Sequence, residues 1–162
     1  MSHQTTRIVE PVRSLMVPAG QDSFEEQRSL GISTVTFKRT PSYLSDAMII
    51  ENTFHAKGGP PRHRHLHQDE WFYIVDGEFS FEIGTERYTL TRGDSLFAPR
   101  RVSHVWAHTG EGRGKVLIAF FPAGQMEAFF RIVTDRNAMP PEDPKLWYDH
   151  GMELLGPPLR VR

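Results

Sequence analysis

The stretch Gly58–Glu78 reads GGPPRHRHLHQDEWFYIVDGE, and its centre, HRHLHQDE, sets three histidines at alternate positions before a carboxylate pair. On an extended strand, side chains at i, i+2 and i+4 share a face, so His63, His65 and His67 point together while Arg62, Arg64 and Leu66 point away. Two imidazoles so spaced can reach one divalent ion with nitrogens at about 2.1 Å. Glu70 has the opposite parity, but His67-Gln68-Asp69 can turn the chain and restart the phase. The following strand then sends Glu70, Phe72 and Ile74 to one face and Trp71, Tyr73 and Val75 to the other.

Outward from this segment the chain reads as short strands separated by turn signals. Before it, Gly31–Lys38 (GISTVTFK) alternates and is β-branched, and AMIIENTF, ending at Phe54, is a second strand. Ser14–Val17 is a candidate short strand, and RTPSYLSD a turn. After it, Asp76-Gly77 suits a hairpin turn between EWFYIV and EFSFEIG. ERYTL, SLFAP, VSHVWAHTG and GKVLIAFFP continue the run, which indicates a sandwich or barrel of about 8 to 10 strands. From Gln125 the period changes: Met126, Phe129, Phe130 and Val133 follow the i, i+3, i+4, i+7 pattern of an amphipathic helix. KLWYDHGMELLG reads as another helix or turn.

The chain has 162 residues, a formal net charge of −1 and no cysteine. A single domain is therefore expected, with no basic field for nucleic acid and no thiolate ligand, disulfide or cysteine nucleophile. No window approaches the roughly 20 apolar residues of a membrane span, and the N-terminus carries no apolar run of signal-peptide length. A cytoplasmic protein is the expectation.

The two histidine segments together resemble the cupin superfamily. Its first motif is usually G-x5-H-x-H-x3–4-E-x6-G, and His63, His65 and Glu70 followed by Gly77 fit it, with the leading Gly58 one residue out of place. Pairing His65 with His67 repairs that glycine through Gly59 but leaves two residues before Glu70. The carboxylate spacing is the stricter requirement, because a Gly-Gly-Pro-Pro loop absorbs a residue more easily than a ligand does. The second motif, G-x5-P-x-G-x2-H-x3-N, is matched by GDSLFAPRRVSHVWAH through Gly93, Pro99 and His104, with Arg101 at the glycine and His108 at the asparagine. The sequence after the last strand, PAGQMEAFF, and the closing GMELLGPPL resemble single-domain cupins described as quercetin dioxygenase-like.

The resemblance implies an all-β double-stranded β-helix, or jelly-roll barrel, over about residues 31–122, with a short helical tail over about 123–162. It implies one divalent transition metal (Fe, Mn, Ni, Cu or Zn) on His63, His65, Glu70 and His104, and a pocket lined by Phe72, Ile74 and Trp106. The implied activity is a metal-dependent dioxygenase acting on a small aromatic or enolate-type substrate, with Glu70 as ligand and general base, its pKa raised by burial. A non-oxidative isomerase or hydrolase and a non-catalytic binding cupin are the alternatives. An Arg101 turn unlike that of glycine and a basic Arg100-Arg101 pair at the barrel mouth are further expectations; His67 and His108 stay outside the ligand set. Trp71, Tyr73 and Val75, with Ile32–Phe37, exceed what one small barrel buries, so a homodimer is expected.

Overall fold

The computed structural model describes residues 14–42 and 46–162. The N-terminal residues 1–13 and the centre of the expected turn at 43–45 lie outside the described residues. Among the described residues ten strands form two five-stranded sheets. One sheet contains β1 (Ser33–Arg39), β2 (Met48–Phe54), β9 (Gly114–Phe121), β4 (Asp69–Asp76) and β7 (Ser95–Ala98), in that spatial order. The other contains β10 (Met152–Gly156), β3 (Arg62–His65), β8 (His104–His108), β5 (Phe79–Ile83) and β6 (Glu86–Leu90). Every pairing within these sheets is antiparallel. This is the cupin jelly roll that the alternating pattern and the two motifs anticipate.

Strict alternation drives the layering. In β2, Met48, Ile50, Asn52 and Phe54 are buried while the intervening residues are half-exposed. In β4, Glu70, Phe72 and Ile74 face inward. Phe72, Phe81 and Trp106 meet across the interior, with ring centroids 4.9 to 5.9 Å apart. Such contacts add to the burial of large apolar surface that holds the two sheets together. Gly59 is fixed by close approach: a Cβ there would lie 2.0 Å from the Trp106 carbonyl oxygen. The loop entering β3 can therefore press on β8 only through a glycine.

Three local expectations differ from the structure. Asp76-Gly77 does not close a hairpin, because β4 already pairs with β7 and β9 whereas β5 pairs with β6 and β8. The turn instead carries the chain from one sheet to the other, a choice set by partners distant in sequence. Ser14–Val17 is not a strand; Leu15 and Met16 are exposed and lie on no ladder. The third difference concerns the tail. Helix α1 (Met126–Val133) buries Met126, Phe129, Phe130 and Val133, the four positions its periodicity marks. After a short 3₁₀ turn, α2 (Pro144–Asp149) starts with Asp143 accepting from the Lys145 N–H. The segment after it is a strand, β10, not a helix, and it pairs with β3: Met152 lies opposite His65 and Leu154 opposite His63. The tail therefore completes the sheet that carries the histidines.

Candidate metal centre

Strand β3 delivers His63 and His65 inward because both occupy its buried face, while Arg62 and Arg64 point outward to Glu82 and Glu153. The chain bends at Leu66 and His67, and β4 begins at Asp69 with its phase reset, which turns Glu70 inward. His67 is left exposed at the bend. His104 opens β8 directly opposite His63. One ligand atom from each of His63, His65, Glu70 and His104 lies within 4.8 Å of all the others, and all four side chains are buried.

The surroundings fix how the rings face. The His63 Nδ1–H donates to the Pro61 carbonyl at 2.7 Å, and the His65 Nδ1–H donates to Gln68 Oε1 at 2.5 Å. With Nδ1 so engaged, each ring presents its Nε2 lone pair toward the centre. Nε2 of His65 and of His104 each lie 3.0 Å from Glu70 Oε2, yet none of these three atoms has hydrogen-bond geometry toward a partner among the described residues. Buried polar atoms seldom go unpaired, and three converging on one point fit a cation. The mixed nitrogen and oxygen donors suit Fe, Mn, Ni, Cu or Zn.

The electrostatics revise one expectation. Burial is the largest influence on Glu70 and pushes its pKa up, but the imidazoles of His65 and His104 outweigh it and hold the carboxyl below its ordinary range. The carboxylate is therefore ionised rather than poised near neutrality. Burial, reinforced by His104 and His65, keeps the His63 imidazole well below its ordinary pKa and hence neutral, the form a metal requires.

A cavity opens on His63, His65 and Glu70. Trp106 lines it, as do Phe129, Trp147 and Met152 from the tail. Trp147 also packs on His63 at a ring distance of 4.8 Å. Phe72 and Ile74 sit elsewhere: both are fully buried in the barrel core and outside the cavity lining, although Phe72 meets His104 edge-on at 6.3 Å. His108 is also buried, packed against Phe54 and Phe79 and bonded through Nδ1 to the Ala56 carbonyl, away from the four donors.

Neither arginine of the second motif lines the cavity. Arg100 pairs with Asp69 at 3.0 Å. Arg101 adopts φ +66°, the left-handed conformation a glycine would take, so the turn is kept rather than changed. Its N–H donates to the His65 carbonyl at 2.7 Å, tying the second motif to the first.

Two further residues join the site without a motif to announce them. Gln68 holds His65 and donates to the carbonyls of Pro122 and Ala123 at 2.7 and 2.9 Å, so it links the metal half-site to the start of the tail. Asn52 lines the cavity from an inward position of β2, and the signal for it is an amide within an otherwise apolar alternation.

The fold and the donor cluster define a jelly-roll β-barrel with four residues that could hold a metal ion. Residues 51–120 match the family model for the cupin domain. Among solved structures, KdgF from a Halomonas species superposes with a TM-score of 0.52 at 24% identity, covering 61% of this chain and 87% of that one. An RmlC-like cupin from Shewanella frigidimarina gives 0.51 at 24% identity, covering 63% and 87%. Pac13, a nucleoside dehydratase from Streptomyces, gives 0.55 at 10% identity, covering 83% and 87%. These likenesses are likenesses of fold. An uncharacterised Streptomyces coelicolor protein is 33% identical over 55 residues, 34% of this chain, and the chain spans about half (51%) of that relative's length. Among the described residues no helix is long and apolar enough to cross a membrane.

Proposed function

We propose that the protein is a metal-dependent dioxygenase acting on a small aromatic or enol-type substrate held in the barrel cavity. The observation that carries this reading is an aromatic-walled cavity opening directly on the converging donors of His63, His65 and Glu70. A divalent transition ion held by these three residues and His104 would supply Lewis acidity and, if redox-active, electron transfer.

The chain's own residues supply orientation and proton handling. Trp106 and Phe120 offer ring surfaces to a flat substrate, and Phe129 and Trp147 shield the cavity from water. The Glu70 carboxylate can accept a proton from a substrate hydroxyl. Because its pKa is depressed it is a weak base, which favours acidic hydroxyls, enols and phenols, over aliphatic alcohols. Among the described residues no lysine or arginine lines the cavity, so a phosphate or other highly charged group has no counter-ion there.

A non-oxidative reading, in which the same site performs a dehydration, isomerisation or hydrolysis, is supported by the fold likeness to the dehydratase Pac13. Oxygen uptake after anaerobic reconstitution with Fe(II), Mn(II), Ni(II) or Cu(II), measured against a flavonol and diketone panel, separates the two. Uptake with one metal and one substrate class is expected. No uptake with any metal, despite stoichiometric loading, sinks the dioxygenase reading and leaves the Lewis-acid one.

A further inference from the structure

Asn52 stands alone in an apolar wall. Its neighbours on the inward face of β2 are Ile50 and Phe54, and its register partners on the adjoining strands are Val35 and Val116. The residue is 4% exposed, it lines the cavity, and its Oδ1 has no hydrogen-bond partner among the described residues. An amide oxygen stranded in this way costs stability that a leucine would not. A strand can place an apolar residue there at no loss to the fold, so the amide answers to something other than packing.

Sheet register locates Asn52 relative to the metal donors. Glu70 lies opposite Phe120, whereas Asn52 shares a row with Val116 and Ile74, four residues further along the strands. At a rise of about 3.3 Å per residue the two rows are roughly 13 Å apart along the barrel. The same cavity touches both residues. Its ionisable lining groups among the described residues are His63, His65 and Glu70, all at the metal end.

We infer that Asn52 is the distal recognition point of the cavity: its Oδ1 accepts a hydrogen bond from a hydroxyl or N–H at the far end of an elongated, largely apolar substrate whose other end bears the metal-seeking oxygen. This rests on the metal-site reading above. It narrows the substrate from any small aromatic to one with polar functions at both ends and no more than one anionic group. It also fixes orientation, because a molecule inserted the other way round sets an apolar end against an unpaired amide.

The test uses the full chain loaded with Co(II), whose visible absorption reports a phenolate arriving at the metal. The probes are para-propylphenol and its counterpart hydroxylated at the end of the propyl chain. The wild-type protein is expected to bind the hydroxylated probe about tenfold more tightly. Asn52→Leu should load cobalt equally well, reverse that preference and melt at or above the wild-type temperature, since a stranded amide has been removed. Asn52→Val serves the same purpose if leucine overpacks the wall. Equal wild-type affinity for the two phenols, or no spectral response to either from the loaded protein, overturns the inference while leaving the metal site standing. Failure to bind cobalt at all overturns the metal-site reading, and this inference with it.

Discussion

Replacing Gln68 with leucine should damage the metal centre without touching a ligand. The Gln68 side chain is buried and makes three hydrogen bonds: it accepts from His65 Nδ1 and donates to the carbonyls of Pro122 and Ala123. Leucine removes all three and leaves one buried donor and two carbonyls short of a partner. At about 1 kcal/mol for each bond, the loss is about 3 kcal/mol. For a domain of this size that lowers the melting temperature by roughly 6 to 12 °C. The His65 ring also loses the acceptor that fixes its tautomer, and partners of this kind are worth about 10- to 100-fold in metal affinity. Competitive Zn(II) titration against a chromophoric chelator reads the second effect, and circular dichroism melting reads the first. Gln68→Glu separates them: it keeps an acceptor for His65 but loses the donor to the tail, so affinity should hold while stability falls. Wild-type zinc affinity in a folded Gln68→Leu protein would refute the claim that this amide orients His65.

His104→Ala should abolish stoichiometric metal binding, while His67→Ala, altering an exposed ring at the bend, should leave it unchanged. Full metal retention in the first variant, by elemental analysis, would show the fourth donor to be misplaced. The metal-free protein should lose stability on acidification: the His63 pKa is depressed below 6.5, so in that range the unfolded chain binds a proton that the folded chain refuses. Stability is thus present above pH 6.5 and falls as the pH drops toward the folded value, and the depressed Glu70 adds a second loss below pH 4.5. Thermal melts across this range check it; a flat profile in the wild type, or one unchanged by His63→Gln, would contradict it. The homodimer expected from the sequence has a candidate face in Trp71, Tyr73, Phe97 and Phe121 on the outer side of β4, β7 and β9, where Trp71 lies opposite Phe97. Light scattering at micromolar concentration should give a dimer that a Tyr73→Glu/Phe97→Glu double variant dissociates, and a wild-type monomer would count against it.

What the sequence reveals follows the range of the forces involved. Alternation is local, so the inward facing of His63, His65, Glu70, Phe72 and Ile74 is legible from parity once the bend after His65 is allowed. The paired motifs bring His104 to the same point because strand spacing constrains it. Parity, however, says only which way a side chain points, and not how deep its row lies. Phe72 and Ile74 therefore share a face with Glu70 yet fall in the core beyond the cavity wall. The surplus expected of the first strand likewise disappears, because Val35 and Phe37 are taken up by the barrel's own core. Asp76-Gly77 carries a turn signal that is correct locally and misleading about which strands it joins, since pairing partners are chosen across the whole chain. The direction of the Glu70 pKa shift is hidden from the sequence for a related reason: burial can be read from one residue's pattern, but the opposing field of His65 and His104 exists only once they are assembled.

β10 is the element least marked in the sequence, and it links the tail to the chemistry. The segment MELLG has weak alternation and follows a helix, so nothing local marks it as a strand. Yet it pairs with β3 across both histidine positions, while α2 sets Trp147 on His63 and Gln68 bonds the chain just before α1. Three separate contacts thus run from the tail to the same half-site. The donors themselves are a liability to the metal-free fold, since an ionised carboxylate and unpaired imidazole nitrogens are buried together. A cation relieves that liability only if the rings are held in place. The tail holds them and walls the cavity, so metal affinity and the closure of the cavity depend on the same segment.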